Sequence, residues 1–456
     1  MTPTRARSLI PAIAVIAIVG LLGVVFAQIH ARGAVTQHPV TTMPATQVPH
    51  ATTWTHLPQL DSLARFDSNN PTVLAPTDPQ VVYQTFAQDA HSNRPNGDAS
   101  MRRSDDGGHT WHALTFPVAP THVNYAGITV SPLDAHTVWL AIFDTFAQVD
   151  CSSSATQFTP DAGFYDCWLD YYSRDGGAHW LPIQLPFVDR GIDPPVADGS
   201  RLFAHVDCVD FSCSHLMASA DGGKTWQLTD QDVIAREKSV CHVAAAGGKV
   251  FVIASQATDC WHNNQTQHTL WESDDAGAHW HDNGPLPGAN AVNLVAVPTT
   301  TTPLLYTLDS ADSLETIESG NDAAPHITDV RVSSDGGKTW TSAPLAGFPV
   351  GQKVAFDNGI LGVLTDGRII VQAIPPQKVD AQQGSTLVAW KAGASGWQKI
   401  APTLPQEIGT LLVTPAGRSS PGTLWVVTQD REANQPSLTR TPTPLTPVFT
   451  VLKYSV

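Results

Sequence analysis

Short runs in which apolar and polar residues alternate recur along the chain beyond residue 70. Segments 216–219 and 327–333 are typical, and each leads into a cluster of turn-forming residues. A period of two is that of a strand with one buried face. Gly (33 residues) and Pro (35) are plentiful, whereas charged residues make up only 14 % of the chain. Because this balance favours strands joined by turns over helices, the sequence predicts an all-β protein.

The first thirty residues have a different pattern. An uncharged apolar run covers residues 9–29, and Arg5 and Arg7 precede it. A helix of this length, at about 1.5 Å per residue, can span a hydrocarbon core of roughly 30 Å. Basic residues ahead of such a run direct the rest of the chain outward. We therefore predict a short basic N-terminus (1–8), a transmembrane signal-anchor (9–29), a Thr/Pro-rich linker (30–53) and an extracytoplasmic body (54–456).

The apolar run has an alternative interpretation as a cleaved signal peptide. Val25, Phe26 and Ala27 would then supply the small-residue cleavage site. In the first case the body is held at the cell membrane by a single pass, and in the second it is secreted. Both cases place the body outside the cytoplasm.

One eight-residue pattern, S-x-D-x-G-x-[TH]-W, recurs five times, and a decayed sixth copy at 390–397 keeps its last Trp but lacks the Asp. Its Asp can accept backbone N–H bonds, and its Gly tolerates a positive φ. We therefore expect a structural role in a turn. The recurring residues are Ser104, Asp106, Gly108 and Trp111; Ser173, Asp175, Gly177 and Trp180; Ser219, Asp221, Gly223 and Trp226; Ser273, Asp275, Gly277 and Trp280; and Ser333, Asp335, Gly337 and Trp340.

This pattern resembles the Asp-box, or BNR repeat, of a β-propeller family. That family includes sialidases, sortilin-type receptors, some glucanases and photosystem II assembly factors. The resemblance implies a propeller fold in which each Trp is buried between neighbouring four-stranded blades. It implies little about function, because these relatives do unrelated things.

The spacing of the tryptophans gives the number of blades. The box tryptophans and Trp397 are 46 to 69 residues apart, and Trp54 lies 57 residues before Trp111. Three strand-like runs, 410–414, 423–429 and 448–454, follow Trp397 without a fourth. We therefore predict seven blades, with the strand at Trp54 completing the C-terminal blade and closing the ring. Six blades are the alternative, because the sialidase branch uses six.

The connections opposite the boxes are long, and long loops on a rigid scaffold usually carry function. All six cysteines fall on or beside these connections. An even number of cysteines in an exported chain indicates disulfides. The simplest of the fifteen possible pairings is sequential: Cys151–Cys167, Cys208–Cys213 and Cys241–Cys260.

Candidate chemistry on the long-loop face is limited to carboxylates and aromatic rings. The early Arg-Ile-Pro motif of sialidases is missing from the predicted propeller, so no sialidase residue can be transferred. A glycoside hydrolase needs a pair of carboxylates, for which the candidates are Asp144, Asp166, Asp207 and Asp259; the alternative is solvated surface. Rings that could stack on a sugar, or else simply pack the loops, are Tyr165, Trp168, Phe211 and Trp261.

No cofactor and no metal site are expected. No cysteine pair has C-x-x-C spacing, and no H-E-x-x-H motif occurs. The segment 309–322 is rich in carboxylates, which calcium binds, but its spacing is not that of an EF-hand. We expect a flexible acidic loop there, with bound calcium as the alternative. Its acidic residues are Asp309, Asp312, Glu315, Glu318 and Asp322.

The charge of the chain limits its partners. A net charge of −16 is the opposite of what phosphate neutralisation requires, so nucleic acid is excluded. Our leading hypothesis is a membrane-tethered, non-catalytic recognition or scaffold propeller that binds a protein or glycan through its long-loop face. The alternative is a sialidase-like glycoside hydrolase acting at the mouth of the central channel. A chaperone-like partner of membrane complexes is a third option.

Overall fold

The computed structural model divides the chain into two units, Met1–His50 and Ala51–Val456. The predicted basic N-terminus, apolar run and linker lie outside the described residues. Within the part that the structure describes, no helix is long and apolar enough to cross a membrane. The described residues are 55–56, 72–86, 99–147, 157–159, 164–183, 185–186, 191–207, 214–257, 267–287, 291–310, 327–344, 346–348, 353–354, 360–364, 366–374, 386–404, 407–414, 423–429 and 449–455.

Almost all described elements are strands, and they form antiparallel four-stranded groups that we number as meanders in chain order. Meander 1 contains β2 (Thr72–Leu74), β3 (Val82–Phe86), β4 (Ser100–Ser104) and β5 (His112–Leu114). Meander 2 contains β6 (Val123–Val130), β7 (Val138–Ala147), β9 (Phe164–Ser173) and β10 (Leu181–Pro182), with β8 (Gln157–Thr159) paired to β9.

Meanders 3 and 4 are joined into one sheet by a single parallel pairing, Ser214 with Ser239. Meander 3 contains β11 (Val196–Asp198), β12 (Arg201–Asp207), β13 (Ser214–Ser219) and β14 (Gln227–Leu228). Meander 4 contains β15 (Ser239–Ala246), β16 (Lys249–Ser255), β17 (His268–Ser273) and β18 (His281–Pro285). A one-turn helix, α1 (Gln231–Ile234), lies between them, and a 3-10 turn (Pro120–His122) precedes β6.

The remaining strands complete three further groups. Meander 5 contains β19 (Ala291–Val297), β20 (Leu304–Ser310), β21 (Ile327–Ser333) and β22 (Thr341–Ser342). Meander 6 contains β23 (Lys353–Val354), β25 (Ile369–Ile374), β26 (Thr386–Trp390) and β27 (Gln398–Lys399), with β24 (Ile360–Val363) on β25. Meander 7 contains β28 (Glu407–Thr414), β29 (Thr423–Gln429) and β30 (Phe449–Ser455), and β1 (Thr55–His56) pairs with β30 as its fourth strand.

A hydrophobic cluster lies between each pair of meanders that are consecutive in sequence. Ile369 and Ile370 of β25 belong to different clusters, because successive side chains of a strand point to opposite faces. Each of meanders 2 to 6 is thus covered on both faces by its neighbours, as in a β-propeller. Within the described side chains, representative pairs across these interfaces are Tyr83 and Ile142, Trp139 and Leu202, Phe203 and Val252, Phe251 and Leu305, Tyr306 and Val371, and Ile370 and Val426.

The five repeated motifs form turns of the same design, which we call the boxes. In the box at Ser333, the Ser Oγ accepts the Gly337 N–H at 2.7 Å and donates to Asp335 at 2.7 Å. Asp335 in turn accepts the backbone N–H and the hydroxyl of Thr339. These Thr339 bonds lower the pKa of Asp335 to about 2. The carboxylate is therefore held ionised as the centre of the turn.

The partner of the indole N–H differs between the boxes with Thr and the boxes with His before the Trp. In the three boxes with Thr, the Trp donates to the Gly carbonyl of its own box, as Trp226 does to Gly223. In the two boxes with His, it donates to the preceding meander: Trp180 to Thr115 and Trp280 to Thr229. The expected burial of every box Trp is only partly met, because Trp226 and Trp280 are buried whereas Trp111, Trp180 and Trp340 are half-buried.

The last Gly of the boxes in meanders 2 to 5 combines a positive φ with a close neighbour. Gly223 has φ +86°, and a Cβ there would lie 2.0 Å from Cζ2 of Trp139 in meander 2. Gly199 has a positive φ as well (+60°), but a Cβ on it would meet open space. Gly223 is thus constrained both by its close neighbour and by its backbone conformation, whereas Gly199 is constrained by its backbone conformation alone.

We predict that Gly223→Ala lowers the free energy of unfolding by roughly 2–5 kcal/mol, since it adds overpacking to left-handed strain. Gly199→Ala should lower the free energy of unfolding by only about 1–2 kcal/mol, because it adds left-handed strain without overpacking. Chemical denaturation of the two variants checks this. Equal losses would show that the contact with Trp139 imposes no constraint.

Candidate functional site

A cavity of about 230 Å³ lies between meanders 2 and 3. Its walls come from β6 and β7 on one side and from the segment 191–194, which leads into β11, on the other. Asp207, the last residue of β12, closes one end. Since Asp207 directly precedes the connection 208–213, the cavity reaches the end of the meander at which the long connections begin.

Two glycines in the walls have close neighbours, and the one at Gly191 allows the two walls to approach each other. A Cβ on Gly191, whose φ is +110°, would lie 2.6 Å from Cβ of Ala141. A Cβ on Gly127 would lie 2.9 Å from the hydroxyl of Tyr125. Thr129 fixes the segment by donating its hydroxyl to the carbonyl of Ile192 at 2.9 Å.

His205 connects the two carboxylates that line this cavity. Its Nδ1 lies 2.7 Å from Oδ2 of Asp193, and its Nε2 lies 3.5 Å from Oδ1 of Asp207. Ser214 lies 3.2 Å from the same Nε2 and donates its hydroxyl to Asp207. Burial opposes a charge on His205, but the hydrogen bond and charge of Asp193, with the charge of Asp207, outweigh it and raise its pKa.

The order Asp193–His205–Ser214 is that of a serine-hydrolase triad, yet the electrostatics differ. A triad needs a neutral imidazole that receives the Ser proton. Here the pKa of His205 is raised, and the hydroxyl of Ser214 is directed at Asp207. Ser214 is also 4 % exposed. The arrangement therefore orients two carboxylates around an imidazole whose protonated form they favour.

Two further histidines lie beside this network in meander 4. His242 follows a bulge in β15, and desolvation together with the nearby His205 and His268 lowers its pKa to about 3. Desolvation alone lowers the pKa of His268, in β17, to about 4. His268 is buried, and its Nδ1 has no hydrogen-bond partner among the described residues. The native state thus holds both rings neutral.

We predict that stability falls as the pH drops from about 6.5 towards 4, because the unfolded state binds protons on His242 and His268 that the native state excludes. Each histidine should lower the folding equilibrium constant about tenfold per pH unit. His205, whose pKa is raised, contributes stability at low pH that disappears above about pH 6.5.

Denaturation midpoints measured across this pH range provide the test. His268→Gln should reduce the loss of stability between pH 6.5 and pH 4. His279→Gln, in an exposed box, should leave this loss unchanged. If His268→Gln lost stability with decreasing pH as steeply as the wild type, His268 would not be the group that takes up the proton.

The structure separates the predicted site residues. Asp207 lines the cavity. Trp168 lies behind its wall, with its ring centroid 5.4 Å from that of Tyr125 and 5.1 Å from that of Phe143. Asp144 is buried within β7, 3.8 Å from His122, and is not a loop residue. The side chains of Tyr165, Asp166, Phe211, Asp259 and Trp261 lie outside the described residues.

Sequence reasoning missed Asp193, His205, Ser214 and Tyr125. The spacing His205-x-Asp207 at the end of a strand places both side chains on one face, and this was the available signal. Asp193 precedes a short strand and has no local pattern that marks it. Its pairing with His205 depends on the way the chain enters meander 3.

The predicted disulfides and the acidic segment are described only at their edges. Cys241 is buried in the cluster between meanders 4 and 5 and is disulfide-bonded. The side chains of the other five cysteines lie outside the described residues, so the three pairings stay predictions. Asp309 is paired with Arg331, which also lies 3.3 Å from Asp329. Within the described part of the chain, no cluster of His, Cys, Asp or Glu could hold a metal ion.

A larger groove of about 500 Å³ lies at the opposite end, between the boxes of meanders 3 and 4. Its lining includes Ser219, Asp221 and Thr225, whose polar groups are used in the turn of their own box. The cavity at Asp193 and Asp207 is therefore the better candidate site.

Antiparallel meanders pack face to face, and a small cavity lies between meanders 2 and 3. This arrangement defines an all-β protein with a β-propeller-like arrangement of its sheets. No protein-family model matches the chain, and no curated protein is similar to it in sequence.

Solved structures provide only distant matches. YCF48 bound to a D1 peptide has 13 % identity and a TM-score of 0.46, over 91 % of this chain and 99 % of that one. The polysaccharide lyase Uly1 has 12 % identity and a TM-score of 0.44, over 92 % and 94 %. The GH74 xyloglucanase from Xanthomonas campestris has 15 % identity and a TM-score of 0.40, over 78 % of this chain but only 50 % of that one. Matches this distant carry no argument about function.

Proposed function

We propose that the protein is a non-catalytic recognition or scaffold module that binds a protein or glycan ligand through the end of the fold that carries the long connections. The observation that carries this proposal is the cavity between meanders 2 and 3, which is lined by Tyr125, Asp193 and Asp207. At about 230 Å³ the cavity is smaller than the usual small-molecule pocket of roughly 300–1,000 Å³. It therefore suits one group of a larger ligand.

The polar groups at the cavity support binding over catalysis. His205 lies between Asp193 and Asp207 and within hydrogen-bond distance of both Asp193 and Ser214. A general acid and base need carboxylates whose environments move their pKa values apart. Here a single imidazole partners both carboxylates, which suits a fixed, preorganised surface.

One observation favours the alternative, a glycoside hydrolase at the mouth of the channel. Asp193 and Asp207 come from different segments and line the same cavity, and a pair of carboxylates is the basic requirement of glycoside hydrolysis. In that case Asp207→Asn would abolish turnover.

The ring itself is part of the proposal. We count seven four-stranded groups among the described strands and propose that they are seven blades of one closed ring. The pairing of β1 with β30, Thr55 opposite Lys453, supports closure by both ends of the chain. The five boxes are proposed to be Asp-boxes of the kind that the sequence resembles.

The location outside the cytoplasm is also proposed. The apolar run 9–29 would hold the protein at the membrane in a single pass, or would be removed on secretion. The disulfide at Cys241 supports an oxidising compartment. We propose Cys260 as its partner, with the pairs Cys151–Cys167 and Cys208–Cys213 beside it.

Peptide mapping without reduction should recover Cys241 linked to Cys260, because a short bridge within one meander is the simplest pairing. Full reduction should lower the thermal midpoint, since a disulfide is typically worth about 2–4 kcal/mol. A peptide that joins Cys241 to any other cysteine would contradict the pairing.

The function is tested with the full chain on glycan and peptide arrays and on a panel of aryl glycosides that includes a sialoside. We expect binding to a subset of array members and no turnover. Asp207→Asn should weaken array binding at least tenfold, because a buried or half-buried polar contact contributes about 1.4 kcal/mol or more. The matched control is Asp366→Asn, in an exposed turn of meander 6, which should bind like the wild type. Turnover that Asp207→Asn abolishes would establish the hydrolase instead.

A further inference from the structure

We propose that the cavity between meanders 2 and 3 takes the cationic side chain of an arginine or lysine from a protein partner, and that His205 competes with this side chain for the two carboxylates. This inference rests on the proposed function and deepens it. It selects a protein over a glycan, and it makes recognition dependent on pH.

The first step is the balance of donors and acceptors in the cavity wall. Thr129 donates its hydroxyl to the carbonyl of Ile192, and the indole N–H of Trp139 donates to the carbonyl of Gly223 at 2.8 Å. The wall therefore uses these donors within the protein. Glycan hydroxyls need both donors and acceptors, whereas an ammonium or guanidinium group needs acceptors only.

The acceptors are available on the two carboxylates. Asp193 uses Oδ2 for His205, and Asp207 uses Oδ1 for Ser214 and His205. Among the described contacts, Oδ1 of Asp193 and Oδ2 of Asp207 have no protein partner. The carboxyl groups are 57 % and 31 % exposed, and both residues line the cavity. A guanidinium, with its five N–H groups in one plane, can bind such oxygens from two sides.

The remaining walls suit the rest of a cationic side chain. Tyr125 lines the same cavity, and aromatic faces attract cations as well as methylene groups. A volume of about 230 Å³ is enough for one long side chain. The net charge of −16 would attract a basic partner at long range.

The two carboxylates favour the protonated form of His205 and so raise its pKa. Each described element around it contributes a polar group: Asp193 from the segment 191–194, Asp207 from its own strand, Ser214 from β13 and His242 from β15, with His268 behind it in β17. The connection 208–213, which contains Asp210, lies outside the described residues. While His205 is protonated, it neutralises one of the two carboxylates.

The sign of the pH effect follows. The pKa of His205 is raised by Asp193 and Asp207, so the ring is charged at pH 6.5 and loses its proton as the pH increases. Deprotonation leaves two uncompensated carboxylates, and the affinity for a cation increases. By linkage, a bound cation lowers the pKa of His205.

The test uses N-acetyl-arginine amide as the probe, with the neutral isostere N-acetyl-citrulline amide as its matched control. Calorimetry on the full chain in mild detergent at about pH 6 and about pH 8.5 measures both. We expect the arginine probe to bind about tenfold more tightly at the higher pH and at least tenfold more tightly than citrulline, as for the loss of one charge pair.

Variants assign the effect to the named residues. Asp207→Asn and Asp193→Asn should each lower the affinity for the arginine probe about tenfold. If one of the two variants fails to fold, the other still tests the proposal. His205→Gln should keep binding but remove its pH dependence. Asp366→Asn should change nothing.

Equal binding of arginine and citrulline would overturn the proposal, and so would a pH dependence that persists in His205→Gln. Loss of the probe's binding, with array binding still sensitive to Asp207→Asn, would reject the cation while leaving the recognition function intact. Loss of both would reject the two proposals together.

Discussion

The hydrogen-bonded box turn is the interaction on which the rest of the fold depends. Inside the turn, Ser219 and Asp221 satisfy the backbone N–H groups of Gly223 and Thr225. The box carbonyls are thereby left facing the preceding meander, where they accept bonds from Trp139, Tyr172 and Arg174. A purely local turn thus also forms the joint between two sheets. The same joint recurs where Arg103 donates to the carbonyls of Asp175 and Gly176.

The two ends of each sheet therefore have different roles. At the box end, nearly identical turns hold neighbouring sheets at a fixed spacing, and the last Gly of the boxes in meanders 2 to 5 leaves no room for a Cβ against the preceding meander. At the other end the residues differ from meander to meander. The network of Asp193, His205 and Asp207 can therefore differ from the other meanders without loss of the fold, because the boxes and the hydrophobic clusters already determine the packing.

The sequence was a good guide to the repeated features and a poor one to the site. Alternation and the spacing of the tryptophans predicted the strands, and the pairing of Thr55 with Lys453 agrees with an N-terminal strand that joins C-terminal ones. Two of the predicted site residues, Asp207 and Trp168, lie at or behind the cavity wall. Asp144 was expected on a loop and is buried in a strand, because β7 continues to Ala147.

By itself the sequence determined whatever depends on neighbours along the chain: the strands, the turns, and the Ser–Asp–Gly bonding of each box, in which the partners are two to four residues apart. Only the tertiary structure decided the site. Asp193 and His205 are twelve residues apart on the two sides of the β11–β12 hairpin, and His242 belongs to another meander, so the three meet only after the sheets pack. Their charges are then set by burial and by each other, since desolvation and Coulomb attraction are properties of the packed protein.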